Sequence, residues 1–208
     1  MSENFDTLNK PEALCRCAKN FYDRGWMYGT AGNLSAKVDQ DTFLITASGN
    51  PKGQLSTSDF VSINTSSGEQ ITQSTPNKPS AETSIHQTIY SLYPDANACF
   101  HVHSVAACLA TQAYSKENCL RLPNLEMIKG FDIWEEEPNI ELPLFNNDLD
   151  IAKISQEIQQ RFSQSKPKLD ALMIKNHGVT VWGNSIQQTF NRVEILEFIM
   201  SFLSRTQK

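Results

Sequence analysis

The sequence predicts a single α/β domain that spans residues 1–208. A length of 208 residues suits one domain with a sizeable buried core. Apolar residues make up 39% of the chain and charged residues 20%, which is typical of a globular protein. Amphipathic helical patterns are interspersed with short apolar runs of strand length, without internal repeats or low-complexity linkers. Together these features favour a mixed helix and strand architecture.

The N-terminal half begins with a helix and continues with strands. Pro11 suits the first turn of a helix, apolar residues then recur at helical spacing, and Gly25 marks the end. Short apolar runs predict strands at residues 34–38, 43–46 and 60–63. Ser80 is the expected N-cap of a helix that runs to about Leu92, with Glu82 in its first turn.

The C-terminal half repeats this mixture. Residues 98–103 predict a strand, followed by a short helix over 104–113. The proline in residues 140–144 indicates an edge strand there. An amphipathic helix follows at 151–162, and then come buried strands at 171–174 and 179–182. Ser185 and Gln188 form a capping box that opens the final helix.

Two histidines mark the strand that ends at residue 103. Side chains alternate faces along a strand, so His101 and His103 point the same way. Two imidazoles at this spacing suit a first-row metal ion, although an H-x-H pair alone is a weak signal. The chain has only four histidines, so the pair does not reflect a histidine-rich composition.

A third histidine strengthens the prediction of a metal site. His177 lies between two predicted strands, where its side chain can face a cleft. Three histidine ligands leave a tetrahedral zinc ion one open position, which is the catalytic arrangement. We interpret the remaining histidine, His86, as structural.

Small-residue loops and two glutamates are further candidates. Residues 29–33 and 47–53 are rich in glycine, serine and threonine, which is usual for turns but also allows backbone N–H groups to bind a phosphate. Glu126 has apolar neighbours, so we expect a partly buried carboxylate with a raised pKa. Glu82 shares a helix face with His86, and its simplest interpretation is a solvated helix start.

Composition excludes several classes of protein. The net charge of −5 provides no basic surface for nucleic acid or anionic lipid. No apolar run approaches the roughly 20 residues that a membrane-spanning helix needs, and the N-terminus has no signal-peptide pattern. The five cysteines include no C-x-x-C pair, so we expect a reduced, cytoplasmic protein without nucleic-acid or membrane partners.

Five ordered motifs resemble the class II aldolase/adducin family over nearly the full length of the chain. They are G-T-A-G-N-L-S at 29–35, I-T-A-S-G at 45–49, K-P-S-A-E-T at 78–83, H-V-H-S at 101–104 and N-H-G at 176–178. Within that family, E-M-I-K-G at 126–130 and the residues around both small-residue loops are most similar to a lyase that removes water from a sugar phosphate.

The resemblance implies a three-layer α/β/α fold around a mainly antiparallel sheet and a homotetramer with active sites between subunits. It implies one Zn²⁺ per subunit at His101, His103 and His177, with a sugar phosphate as substrate. It also assigns the substrate phosphate to the positions of Gly32, Asn33, Ser48, Gly49 and Ser80.

The resemblance leaves the catalytic carboxylate open between Glu126, our first choice as acid/base, and Glu82, our second. Family aldolases carry a glutamate at the position of Glu82, whereas the animal dehydratases carry a cysteine there. The alternatives to a dehydratase are an aldolase or epimerase acting on another ketose phosphate, and a non-catalytic interaction module. Aldolases and epimerases of the family use a tyrosine near the C-terminus, and this chain has none after Tyr114.

Overall fold

A computed structural model describes residues 4–71, 77–112 and 117–206 of the chain. Within these residues it contains five α-helices and eight β-strands. The helices are α1 (Lys10–Asp23), α2 (Thr83–Leu92), α3 (Val105–Gln112), α4 (Ile151–Gln164) and α5 (Ile186–Thr206). The strands are β1 (Asn33–Lys37), β2 (Thr42–Thr46), β3 (Phe60–Asn64), β4 (Ala98–Val102), β5 (Cys119–Arg121), β6 (Glu141–Phe145), β7 (Ala171–Ile174) and β8 (Gly178–Gly183).

All eight strands form one sheet in the order β3-β2-β1-β4-β8-β7-β6-β5. The pairing of β6 with β7 is parallel, and the other pairings in the described sheet are antiparallel. Strand β4 lies near the middle, between β1 and β8. Its residue His101 is opposite Asn33 on one neighbour and Thr180 on the other.

Each face of the sheet has its own buried apolar cluster. Helices α1, α3 and α5 pack on one face, against inward residues such as Leu34, Phe100 and Val181. Helices α2 and α4 pack on the other, against residues such as Ile45 and Trp182. The two-residue alternation of strands produces both clusters from the same strands. His101 belongs to the face of α2, because it lies two residues from Cys99 in the second cluster.

Most helix ends follow the predicted signals. Asn9 caps α1, and Pro11 lies in its first turn. The Ser185 hydroxyl accepts the N–H of Gln188 at 3.1 Å, which is one half of the predicted capping box, while the Gln188 side chain accepts from the Asn184 N–H at 2.9 Å. Helix α3 is described as far as Gln112, and the predicted end at residue 113 lies outside the described residues.

Two local predictions were wrong. Helix α2 begins at Thr83, so Glu82 is its N-cap residue, whereas Ser80 lies outside the helix and its hydroxyl accepts the Glu82 N–H at 3.3 Å. Strand β6 is not an edge strand, because the three-residue strand β5 pairs with it and forms the edge. Pro143 is tolerated there because Leu144 donates its N–H towards β5, to the Asn118 carbonyl, so the Pro143 nitrogen faces β7, whose pairing with β6 begins only at Leu144.

Two properties bear on the expected cellular setting. In the described segments no helix is both long and apolar enough to cross a membrane. All five cysteines lie in those segments, and none of them forms a disulfide.

Candidate metal centre and active site

Three histidine side chains converge where β4 ends and where β7 turns into β8. The Nε2 atom of His103 lies 2.8 Å from Nε2 of His101 and 3.1 Å from Nε2 of His177. Together with one oxygen of Glu82, their ligand atoms all lie within 4.8 Å of one another. The structure thus brings the three predicted ligands together, and His86 is not a member of this group.

Backbone features allow this convergence. Asn176 has a positive φ of 52° in the turn before His177, a conformation that asparagine tolerates better than most residues. A Cβ at Gly178 would collide with the carbonyl of Val102. Gly32 has φ +78°, and a Cβ there would lie 2.8 Å from the His101 carbonyl oxygen. The glycines in N-H-G and G-T-A-G-N therefore let adjacent chain segments approach the strand of His101.

The hydrogen bonds of the Nδ1 atoms of His101 and His177 determine that the lone pair of each ring lies on Nε2. His101 Nδ1 is 3.0 Å from the carbonyl oxygen of Val179 and 3.0 Å from the Thr180 hydroxyl. A carbonyl can only accept, so Nδ1 carries the proton and Nε2 presents a lone pair. His177 Nδ1 faces the Asn147 amide oxygen at 3.1 Å, with the same consequence. Lone pairs directed at one point repel each other unless a cation lies between them, so these residues fit a metal ion.

Burial supports the same conclusion. It lowers the pKa of His101 to about 4 and that of His103 to about 3, although Glu82 opposes the shift in both. Neutral imidazoles have the free lone pair that a metal ligand needs. Near neutral pH these side chains are therefore ready to bind a metal without first losing a proton.

Glu82 is the carboxylate of this centre. It is 8% exposed, and its Oε1 lies 3.2 Å from His177 Nε2, while Oε2 lies 3.5 Å from His101 Nε2. Burial alone would raise the pKa of Glu82. Positive charge beside His101 and His177, which a bound metal ion would supply while the rings stay neutral, and the hydrogen bond from Asn33 outweigh burial and hold that pKa well below its usual value. The interpretation of Glu82 as part of a solvated helix start was wrong, because α2 packs this end against β1.

The segments predicted to bind phosphate lie beside each other. The N–H of Ser48 donates to the Lys78 carbonyl at 2.9 Å, which joins the loop after β2 to the segment before α2. Lys52 is buried, and its Nζ donates to the carbonyl oxygens of Thr30 at 2.8 Å and Asn50 at 3.0 Å. Burial lowers the Lys52 pKa, and Glu82 opposes that shift. Lys52 therefore ties the two glycine loops together close to Glu82.

The five predicted phosphate positions differ in what their groups already contact. Gly49 has φ +82° and open space around it, so its loop is accessible. The Ser48 N–H donates to the Lys78 carbonyl, and the Ser80 hydroxyl accepts from the Glu82 N–H. The side chain of Asn33 is buried, donating to Glu82 and also contacting His86. Gly32 adjoins the strand that carries His101.

Glu126 does not have the setting that its apolar neighbours predicted. It begins a short 3₁₀ helix (Glu126–Phe131), and its side chain is 82% exposed. Its carboxylate accepts from Lys129 Nζ at 2.7 Å. The expected partial burial was wrong for the isolated chain, because Ile128 and Phe131 supply the buried side of this turn and Glu126 faces outward.

An open depression of about 450 Å³ adjoins the histidines. Residues from α3 and from the loop after β6 line it beside His103 and His177. They include Val105, Cys108, Leu109 and Asn147. The histidine cluster is therefore reachable by a small molecule from this side.

Some residues of the centre escaped the sequence analysis. Thr180 and Asn147 contact the Nδ1 atoms of His101 and His177, and nothing in their local sequence marks them. Ser35 lies two residues after Asn33 and contacts His86. Strand alternation could have placed Ser35 on the same face as Asn33.

The chain belongs to the family described as the class II aldolase and adducin N-terminal domain, whose model matches residues 12–203. A methylthioribulose-1-phosphate dehydratase of Microcystis aeruginosa is 51% identical over 191 residues, covering 92% of this chain and 93% of that protein. Another dehydratase of that name, from Bacillus pumilus, is 34% identical over 95% of this chain and 93% of its own length.

A solved structure shows the fold. The L-fuculose-1-phosphate aldolase of Thermus thermophilus matches with a TM-score of 0.70 and 20% identity, covering 93% of both chains. At this identity the likeness concerns the fold alone. It confirms the predicted α/β fold of the class II aldolase type.

Proposed function

We propose that this chain is a methylthioribulose-1-phosphate dehydratase, a hydro-lyase of methionine salvage. It would convert 5-methylthioribulose 1-phosphate to 5-methylthio-2,3-dioxopentyl phosphate and water. Dehydratases of that name are similar over nearly the whole chain, at up to 51% identity in the comparisons above. The motifs around 25–33, 48–55 and 126–130 predict the same member of the family.

The observation that carries the proposal is the convergence of three histidine Nε2 atoms with Glu82 beside the small-residue loops. We assign His101, His103 and His177 to one zinc ion, which nitrogen ligands of this kind suit. Residues 1–208 would form one zinc-dependent domain with three layers around the mainly antiparallel sheet. The cytoplasm is the proposed location, consistent with the absence of disulfides among the described cysteines.

The dehydration requires removal of a proton from C3 and of the hydroxyl group from C4, and the enol that results tautomerises to the diketone by moving its hydroxyl proton to C4. A bound zinc ion supplies Lewis-acid polarisation of the substrate oxygens. Glu82 faces the centre as a carboxylate, so we assign it the removal of the C3 proton. The loops at Gly32, Ser48, Gly49 and Ser80 would hold the phosphate through N–H and hydroxyl donors, positioning the carbons next to Glu82.

Glu126 retains its predicted acid/base role under one condition. In the described chain it is exposed and pairs with Lys129, so we infer that it acts on the site of a neighbouring copy. There it would protonate the departing C4 hydroxyl. This assignment requires the homotetramer with shared active sites that the family resemblance implies.

Two alternatives make different predictions. An aldolase or epimerase would use the same metal and phosphate sites, but this chain lacks a tyrosine after Tyr114. A non-catalytic module would have no need for the converging lone pairs of the histidines. The geometry therefore favours an enzyme, and the family relatives favour the dehydratase.

The decisive experiment incubates the zinc-loaded protein with 5-methylthioribulose 1-phosphate and, separately, with L-fuculose 1-phosphate. We expect formation of the diketone phosphate from the first and no carbon–carbon cleavage of the second. Cleavage without water loss would replace the dehydratase by an aldolase. A zinc content far below one per chain, with no turnover of either compound, would favour the interaction module.

A further inference from the structure

A line of buried polar side chains leads from Glu82 away from the histidine cluster into the core. Asn33 Nδ2 donates to Glu82 Oε2, and Asn33 Oδ1 contacts His86 Nε2. His86 Nδ1 lies 2.7 Å from the Ser35 hydroxyl, which lies 2.8 Å from the hydroxyl of Tyr90. We call these five residues the Tyr90–Glu82 relay. None of them is more than 8% exposed.

The five relay residues face each other because of their positions on β1 and α2. Asn33 and Ser35 are two apart on β1 and share a face of the sheet. Glu82, His86 and Tyr90 follow each other at four-residue intervals along the start and body of α2, so they lie on one side of that helix. When α2 packs on β1, the three helix residues and the two strand residues therefore alternate along the chain of hydrogen bonds.

Acceptor chemistry fixes the direction of every hydrogen bond in the relay. A carboxylate only accepts, so Asn33 turns its NH₂ group to Glu82 and its oxygen to His86. That oxygen only accepts, so His86 carries its proton on Nε2. Burial lowers the His86 pKa to about 4, so the ring is neutral near neutral pH and Nδ1 accepts from Ser35. The Ser35 hydroxyl also lies 3.2 Å from the Cys99 carbonyl oxygen, but its contact with His86 Nδ1 is shorter, at 2.7 Å. Its proton therefore goes to Nδ1 and its oxygen accepts from Tyr90, so all donors in the relay point towards Glu82.

We propose that Asn33 and His86 are positioning residues, which hold Oε2 of Glu82 and leave Oε1 directed at the histidine cluster. Oε1 is buried without a hydrogen-bond partner in the described structure, and it lies 3.2 Å from His177 Nε2. It is thus the oxygen left for chemistry, while Oε2 is occupied by the relay. Asn33 thereby has a role distinct from the phosphate contact that the family resemblance assigns to it.

The hydrogen-bond arrangement can be tested without any reaction. The full-length, zinc-loaded protein would be labelled with ¹⁵N-histidine, and long-range ¹H–¹⁵N spectra would report the tautomer of each of the four imidazoles. The signals missing from the His86→Gln spectrum identify His86. We expect a neutral ring with hydrogen on Nε2. Hydrogen on Nδ1, or a charged ring at pH 7, would overturn the relay.

The kinetic consequence rests on the proposed function and is tested with three variants. His86→Phe and Asn33→Ala interrupt the relay, whereas the amide of His86→Gln can still donate to Asn33. Misplacing a catalytic group by an ångström can cost about 10²-fold in rate. We expect kcat to fall by about 10- to 100-fold in the first two variants, with KM and zinc content unchanged. His86→Gln should recover most of the loss.

Tyr93→Phe is the matched control, because the Tyr93 hydroxyl is buried next to the end of α2 without a hydrogen-bond partner in the described structure. It should leave kcat unchanged. A raised KM with normal kcat for Asn33→Ala would assign Asn33 to the phosphate and contradict the positioning role. Zinc loss in the folded His86→Phe protein would contradict it as well. If the wild type does not dehydrate the substrate, the proposed function fails, and the imidazole tautomer alone decides the relay.

Discussion

Glu82 and Glu126 have the same carboxyl group, but that of Glu82 is buried and that of Glu126 is exposed to solvent. Glu82 is 8% exposed and lies among three histidines and an asparagine, where positive charge at the histidine cluster and the Asn33 hydrogen bond hold its pKa well below the usual value despite burial. The Glu126 side chain is 82% exposed and pairs with the lysine three residues on. Apolar neighbours in sequence therefore do not decide the setting of a carboxylate. The elements that meet around it do, and for Glu82 these are β1, β4, α2 and the turn before β8.

The largest effect should come from removing a histidine ligand next to Glu82. His177→Ala deletes one of three converging nitrogens, so we expect loss of most bound zinc and of nearly all activity from a folded protein. Metal analysis of the purified variant, with circular dichroism to check folding, measures this. Zinc near one per chain in His177→Ala would show that this histidine is not a ligand.

The fold and the histidine triad were predictable from sequence to different degrees. Helices, strands and the H-x-H pair follow from local periodicity, and the turn at Asn176–Gly178 follows from its own residues. The setting of Glu82 does not, because its partners Asn33 and His101 are 49 and 19 positions away in the chain and only the β1–β4 pairing brings them together. The prediction for Glu126 was wrong because the apolar residues near it in the sequence occupy the buried side of the short helix. The Glu126 side chain therefore faces solvent.

The next largest effect tests the two glutamates directly. Glu82→Gln and Glu126→Gln keep the size of each side chain but cannot exchange a proton. General acid–base groups contribute about 10²–10⁴-fold in rate. We expect kcat to fall by this factor in both variants, with zinc content retained. Normal turnover of Glu126→Gln would leave only its pairing with Lys129 and assign both proton steps to Glu82.

Mixed oligomers test whether the two glutamates reach the same active site from different subunits, as the proposed function requires. Refolding Glu126→Gln chains together with His177→Ala chains would create sites with an intact metal centre from one chain and an intact Glu126 from the other. We expect these mixtures to regain activity that neither variant has alone.

The matched mixture combines Glu82→Gln with His177→Ala. Both positions belong to the same centre within one chain, with Glu82 Oε1 3.2 Å from His177 Nε2. No arrangement of subunits can then assemble an intact centre, so activity should stay at the level of the separate variants. Equal recovery in both mixtures would contradict the assignment of Glu126 to a neighbouring site.

A smaller effect is expected from the phosphate loop beside Glu82. Ser48→Asp places a negative charge where the substrate phosphate should bind, so KM should rise by about ten-fold or more through charge repulsion and lost donors. Ser48→Ala is the control, and it removes one hydroxyl without adding charge. An unchanged KM in Ser48→Asp would remove this loop from the phosphate site.

The smallest effect concerns Glu197. This third carboxyl group shows what burial does to a pKa in the absence of the partners that Glu82 has. Glu197 is 2% exposed, so it is as buried as the core residues. In the described structure neither of its carboxylate oxygens forms a hydrogen bond. Burial raises its pKa from 4.5 to about 7, opposite to the shift of Glu82, although the nearby Ser104 opposes the rise. The folded protein therefore holds a proton that the unfolded chain releases near pH 4.5. The resulting stability is complete below that pH and is lost as pH rises through about 7.

Glu197→Gln removes this titration, so its free energy of unfolding should depend less on pH between 5 and 8 than that of the wild type. The difference should be on the order of 1–3 kcal/mol, measured by urea unfolding at both pH values. Glu157→Gln, an exposed change on α4, should keep the wild-type dependence. Since all three proteins carry the same histidines, zinc release at low pH affects them equally and cancels in the comparison. A Glu197→Gln protein with the full wild-type dependence would mean that Glu197 stays ionised in its buried position, with the Ser104 hydroxyl turned towards it as a donor.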